Sequence, residues 1–402
     1  MPTFIAPNIA WVGCADWHVR DFHSYDTHRG TTYNSYLVLD ERPTVIDAVK
    51  APFGGEMLRR IAAHIDPRTL AYVVCNHAEP DHAGALAELM AAAEQATLLC
   101  NAKCLGALQR YFDTGRWRIK VVSSGEEISL GKHTLRFIDT PMVHWPESMF
   151  TYVPEEQILF SMDAFGQHYA SSALFDDASD LGVVLTEAKA YYANIVMPYG
   201  KAVAAALDAA ASLPLRMIAP SHGVIWRSHV ARILDAYRGW SIHQAAPKVL
   251  IVFDTMWDST SMMADALYAG ANVEGVEVQL IHARRTSLTR LATEVLDAAA
   301  LALGSATLNR EMMPSMAAAL SYIRGLRPQK KAGLAFGSYG WGRGSVEAIQ
   351  QWLEEVCWDV LRPPLRSQYR PDRALLDECE QAGAQLAERA LSVGRRAASS
   401  MA

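Results

Sequence analysis

The sequence predicts an α/β protein of two domains: first two sheets sandwiched between helices, then a doubly wound parallel sheet. Three observations carry this. The 402 residues are more than one hydrophobic core ordinarily organises, and each half is large enough to bury its own. From Lys248 onward, short apolar runs alternate with helical stretches, the rhythm of strand–helix–strand units. Before that point strand-like runs and helices mix less regularly, and polar residues gather where the runs end.

Taken in order, Tyr33–Leu39 and Pro43–Asp47 read as strands around a turn at Glu41–Arg42. Helices are predicted over 54–64, 84–94 and 103–112, with short strands at 71–75, 97–100, 118–122, 133–138, 149–153 and 157–161. A helical run from Val230 to His243 ends at Ala245-Ala246-Pro247, which sets the expected boundary: domains 1–246 and 247–402. The β-branched run Lys248–Phe253 then reads as a buried strand, followed by a helix from about 259. Strands at Val276–Ile281, Ala300–Leu303 and Gly333–Phe336 alternate with helices at 287–299, 314–324 and 344–355. A last strand near 357–361 precedes a long terminal helix.

Half the residues are apolar, a fifth are charged, and the net charge is −6, so nothing favours nucleic acid or an anionic membrane as a partner. The start, MPTFIAPNIAWVG, lacks the basic segment and apolar run of a secretion signal, and no stretch is apolar enough to span a bilayer. A cytoplasmic protein is expected. Six cysteines include no C-x-x-C pair, which excludes rubredoxin-type iron, zinc ribbons and thioredoxin-like redox pairs.

The densest chemistry follows the apolar run Ala71–Cys75: Asn76-His77-Ala-Glu79-Pro-Asp81-His82-Ala-Gly84. In an extended segment His77 and Glu79 project the same way. Pro80 is expected to force a turn that brings in Asp81 and His82, with Gly84 opening a helix behind them. One metal could take the first pair and a second metal the other. The remaining ligands are expected from later strand ends: His144, Asp163 and His222. Isolated histidines such as His64 and His229 carry no such expectation.

In the second part, Asp254-Thr255-Met256-Trp257-Asp258-Ser259-Thr260 joins a strand to a helix. Its hydroxyls and the helix-start amides suit a phosphate, while the absence of a Walker lysine argues against a nucleoside triphosphate. Two more Gly- and hydroxyl-rich loops, Ser305-Ala306-Thr307-Leu308-Asn309 and Ser338-Tyr339-Gly340-Trp341-Gly342, fall at strand carboxyl ends, where open α/β sheets bind ligands. Tyr339 and Trp341 offer rings for a flat cofactor. Without G-x-G-x-x-G, a mononucleotide fits better than a dinucleotide.

H-x-E-x-D-H, followed by the spaced His144, Asp163 and His222, resembles the ligand series of flavodiiron proteins. Asp16-Trp17, Arg20-Asp-Phe-His23, Gly30-Thr-Thr-Tyr-Asn34, Phe165-Gly-Gln-His168, Tyr191-Tyr-Ala-Asn194 and the three loops also resemble that family, almost end to end. The resemblance implies a metallo-β-lactamase-like αββα domain followed by a flavodoxin-like one. It implies two iron ions, with His77, Glu79 and His144 on one, Asp81, His82 and His222 on the other, and Asp163 bridging. It implies flavin mononucleotide (FMN) in the loops at 255–260, 305–309 and 338–342, and reduction of dioxygen or nitric oxide. An external donor, rubredoxin or a reduced deazaflavin, would supply electrons, since no such module is appended. A head-to-tail homodimer or a dimer of dimers is implied, and so is a gas pocket with Phe22, Tyr25 and Tyr192 in its lining.

Zinc hydrolases of the same superfold carry H-x-H-x-D-H. Here the second histidine is Glu79, a harder and negatively charged ligand that suits redox-active iron better than zinc. Asp258 departs from the Gly that flavodoxins often carry there. The alternative function is a di-zinc hydrolase with an accessory flavodoxin-like binding domain; a flavodoxin-like electron carrier fits the complete ligand series less well.

Overall fold

The computed structural model describes residues 3–399. The chain forms two compact units. One holds residues up to Tyr192 together with Tyr199–Ser241; the other holds Ala193–Pro198 and the residues from Ile242 onward. A single cut near 246 leaves the Ala193–Pro198 segment in the first unit, whereas it packs with the second. There Asn194 donates to the Thr289 carbonyl (3.2 Å) and accepts from the Tyr322 hydroxyl (2.8 Å).

In the first unit, seven strands run in the order Thr3–Ala6, Ile9–Trp11, Tyr36–Val38, Thr44–Ile46, Tyr72–Val74, Thr97–Cys100, Arg118–Val121. Five more, Glu127–Ser129, Thr134–Asp139, Met149–Val153, Ile158–Phe160 and Met217–Ala219, form a second sheet. Alternation explains the layering. Val38, Ile46, Val74 and Leu99 point at Phe137, Val153, Ile158 and Phe160 of the other sheet. Their neighbours Leu37, Val45, Val73 and Leu98 pack instead under helical residues such as Met57, Ile61, Leu89 and Leu108. The two sheets between helices match the expected class.

The second unit has strands in the order Glu277–His282, Lys248–Asp254, Ala300–Leu308, Ala332–Tyr339, Asp359–Val360, each parallel to its neighbour. This is the 2-1-3-4-5 order of flavodoxin-like sheets. Leu365–Gln368 adds a parallel partner to Ala332–Tyr339 that the sequence reading missed. Lys248–Asp254 is buried throughout, as its β-branched run requires. Met263, Leu267 and Leu386 cover one face of the sheet, and Leu291, Leu320, Ile349 and Leu353 the other.

The helices Ser259–Ala271 and Arg373–Ser399 cross at two glycines. A Cβ on Gly270 would sit 1.8 Å from the Glu380 carbonyl oxygen, and one on Gly383 2.0 Å from that of Leu267. Both obstacles are backbone, so neither can swing aside. Gly270→Ala is therefore expected to destabilise this unit by about 1–3 kcal/mol. Thermal unfolding should show a lowered Tm; an unchanged Tm would mean that the crossing yields.

Candidate functional site

The seven candidate ligands stand after strands of both sheets. His77–His82 follows Tyr72–Val74, His144 follows Thr134–Asp139, Asp163 follows Ile158–Phe160, and His222 follows Met217–Ala219. One expectation is corrected here. Pro80 does not make a turn before a helix at Gly84. It opens a helix itself, Pro80–Ala83, with Glu79 as extended N-cap and Gly84 closing it. Proline at the first helical position gives up an amide that needs no partner, and its fixed φ suits the helix. A side chain at Gly84 would meet the Pro80 carbonyl at 2.3 Å, so the chain passes on through glycine to the next helix, Leu86–Ala92. His77 and Glu79 thus project from extended chain, and Asp81 and His82 from a helix.

The side chains converge into two groups, His77–Glu79–His144–Asp163 and Asp81–His82–His222. Asp163 joins them. Its Oδ2 lies 3.1 Å from both His77 Nε2 and His144 Nε2, while its Oδ1 lies 3.0 Å from His82 Nε2 and 3.4 Å from His222 Nε2. Glu79 Oε2 is 3.1 and 3.2 Å from His77 and His144 Nε2, and Asp81 Oδ2 is 3.1 Å from His222 Nε2. Ligand atoms about 2.1 Å from a shared ion and at right angles around it stand roughly 3.0 Å apart, the spacing found here. Buried atoms Asp81 Oδ1, Asp163 Oδ2 and both ring nitrogens of His82 have no hydrogen-bond partner. Buried polar groups left without partners point to ions as the missing ones.

The surroundings orient the imidazoles. His222 Nδ1 faces the Thr32 carbonyl at 2.7 Å. A carbonyl only accepts, so Nδ1 carries the hydrogen and Nε2 keeps its lone pair toward Asp81 and Asp163. Burial alone would push the His77 imidazole below its ordinary value, but the carboxylates of Asp163, Glu147 and Glu79 around it outweigh this and hold it well above, so an ion binding there must displace a proton. Glu79 is likewise drawn down to about 2, because His144 and His77 outweigh its desolvation. Asp163 is held well below the carboxylate range against full burial, by the charge of His82 and the imidazoles of His144, His222 and His77 that surround it.

Three neighbours were not singled out from sequence as site residues. Glu147, 2% exposed, places Oε1 2.8 Å from His77 Nδ1. The Tyr191 hydroxyl donates to Asp163 Oδ1 at 2.6 Å. His168 is buried, and desolvation pushes its imidazole down to about 3. Each is a polar residue at the end of an apolar stretch, a signal too common to isolate it. Of the expected gas-pocket residues, Phe22 packs on His168 and lies 6.4 Å from the His222 ring. Tyr25 is close enough for Glu79 to help raise its phenol, after burial. Tyr192 is not brought to the cluster; it packs on Tyr237 and Trp240, and its neighbour Tyr191 reaches the ligands instead.

In the second unit, a cavity of about 1120 Å³ opens at the strand ends, and Met256, Trp257, Asp258, Ser259, Ala306, Thr307, Asn309, Ser338, Tyr339, Gly340, Trp341 and Gly342 line it. Met262, Arg310, Tyr369 and Arg370 also line it and were not expected. Thr255, Thr260, Ser305 and Leu308 fall outside the lining. Thr260 is fully buried, with its hydroxyl 2.8 Å from that of Ser338, and so props a residue that does face the cavity. Ser305 accepts from the Met313 amide at 2.8 Å. Asp258 takes φ 62°, the left-handed backbone that explains why glycine suits this position. Its side chain does not cap the helix Ser259–Ala271, which leaves the first amides without a side-chain acceptor, and the Thr255 hydroxyl is buried without a partner. A phosphate would satisfy both. Trp257 and Trp341, 89% and 94% exposed, stand at the rim.

Comparison with known proteins gives the family of each part of the chain. Residues 31–223 match the family described as ODP family beta lactamase, and residues 251–383 match flavodoxin. A nitric oxide reductase of Moorella thermoacetica is 41% identical over 393 residues, covering 96% of this chain and 98% of that protein. Among solved structures, the flavodiiron protein of Giardia intestinalis superposes with a TM-score of 0.96 at 38% identity, over 98% of each chain. The rubredoxin oxygen:oxidoreductase of Desulfovibrio gigas gives 0.93 at 36%, over 98% of this chain and 99% of that one. The hydrolase alternative falls with these relatives. The cofactors are FMN and a pair of iron ions, the chemistry is that of an oxidoreductase, and the chain belongs to the flavodiiron protein family.

Proposed function

We propose that this protein reduces dioxygen to water, nitric oxide to nitrous oxide, or both, at a diiron centre in residues 1–246 supplied with electrons by FMN in residues 247–402. The observation that carries the reading is Asp163, with one carboxylate oxygen facing each ligand group, in the same chain as a flavodoxin-type cavity. His77, Glu79 and His144 would hold one ion, Asp81, His82 and His222 the other, and Asp163 faces both groups. When bound, the irons supply two one-electron centres and FMN a two-electron store.

The protein's own groups shape what reaches that centre. Asp163 fixes the separation of the two ligand groups, and the Tyr191 hydroxyl fixes Asp163. Phe22 puts an apolar ring beside His222 and His168, which favours a small neutral gas over water or an anion. In the second unit, Ser259, Thr307, Asn309 and Ser338 present polar atoms to FMN, and Tyr339 and Trp341 present rings. The Thr255 hydroxyl is free to meet the phosphate, and Thr260 holds Ser338 in place.

The named activities of the relatives support both gases. The donor is a rubredoxin or a reduced deazaflavin, and the working form is a head-to-tail homodimer or a dimer of dimers in the cytoplasm. No helix among the described residues is long and apolar enough to cross a membrane. Purified protein is expected to be yellow, with one FMN and two irons per chain, and to consume gas anaerobically with one reduced donor. Comparing nitric oxide and oxygen with that same donor ranks the substrates. Stoichiometric zinc with no gas consumption would overturn the reading.

A further inference from the structure

The two ligand groups differ in what stands behind their histidines. Behind His222 is a neutral backbone carbonyl, Thr32, at 2.7 Å. Behind His77 is a carboxylate: Glu147 Oε1 lies 2.8 Å from Nδ1 and also accepts the Ala78 amide at 3.1 Å. His82 Nδ1 has no partner. Glu147 is itself pinned. Its backbone carbonyl accepts from Asn101 Nδ2 at 2.8 Å, and Asn101 also caps the helix Ala102–Tyr111 through the Cys104 amide. It belongs to the segment that carries His144, so it ties the loop of one ligand to another ligand of the same group.

A carboxylate behind a metal-binding imidazole makes that imidazole more basic and locks its ring, whereas a carbonyl does so less. The first group thus has Glu79, a share of Asp163 and the anion behind His77; the second has Asp81 and its share of Asp163. We propose that Glu147 makes the two metal sites unequal, so that the His77–Glu79–His144 site is the tighter and fills first. This rests on the reading that each group holds one iron.

The test is an anaerobic titration of the iron-free, FMN-loaded full chain with ferrous iron against a competing chelator. The natural protein is expected to bind in two resolved steps. Loaded with a single equivalent of iron-57, it should show one Mössbauer environment. Glu147→Gln keeps the shape and the acceptor for the Ala78 amide but removes the charge. It should weaken the tighter step by roughly ten- to a hundredfold, leave the weaker one within about twofold, and spread a single equivalent over two environments. Equal weakening of both steps, or no change in either, would overturn the proposal. If the variant does not fold, as judged by FMN content and circular dichroism, the natural protein decides alone: one equivalent shared evenly between two environments overturns it. A natural chain that takes up no second iron would overturn the reading of the site itself.

Discussion

Asp163→Asn should leave a protein that still takes up electrons but can no longer deliver them. Asparagine keeps the shape and loses the charge that faces four imidazole nitrogens, two on each oxygen. Losing even an outer-shell partner costs roughly ten- to a hundredfold, so losing this shared carboxylate should cost on the order of a hundredfold or more in gas reduction, with iron lost or loosely held. FMN should stay bound and be reduced by the donor at a near-normal rate, because the flavin cavity is lined entirely by residues of the second unit. Stopped-flow absorbance can follow both halves. Nitric oxide is the better oxidant to use, since reduced flavin reacts with oxygen unaided. Rapid flavin reoxidation by nitric oxide in an iron-depleted variant would remove the irons from the mechanism.

Glu79→His should change which metal the protein keeps. Glu79 Oε2 lies within 3.2 Å of both His77 and His144 Nε2, so the substitution trades a hard anionic ligand for a neutral imidazole at the centre of one group. The outcome approaches the ligand set of the zinc hydrolases. Grown with both metals present, the variant is expected to shift its iron-to-zinc ratio toward zinc by about tenfold, with gas reduction falling in step. Elemental analysis decides this, and an unchanged iron content would show that Glu79 does not select the metal.

Much of this is legible in the amino-acid sequence. Four ligand-type residues within six positions after a buried run need a reason, and the structure gathers His77 through His82 with His144, Asp163 and His222 as that reason requires. The alternation after Lys248 was equally plain, because buried parallel strands are continuous apolar runs. What escaped has physical causes. Strands of two to four residues near the N-terminus, such as Ile9–Trp11 and Asp21–Phe22, are too short to display a period. The helix at Pro80 was hidden because proline signals a turn and a helix start alike. Glu147 and Tyr191 act through contacts far away in sequence, which local patterns do not encode.

The hold on His222 has a bearing on how the protein is made. Its Nδ1 rests on a carbonyl 190 positions earlier, at Thr32. Around it Asn34 and Tyr36 donate to the Pro220 carbonyl at 2.8 and 2.7 Å, and Gly223 donates to the Thr32 hydroxyl at 2.7 Å. A ribosome that has finished the His77–His82 cluster still has more than a hundred residues to add before the last ligand emerges. That ligand has no fixed place until the segment around Pro220 closes back on Asn34 and Tyr36. An ion arriving during synthesis meets a partial set with unfixed rings. Loading therefore belongs after closure, and the free energy of binding the ions then adds to the stability of the closed form over any open one.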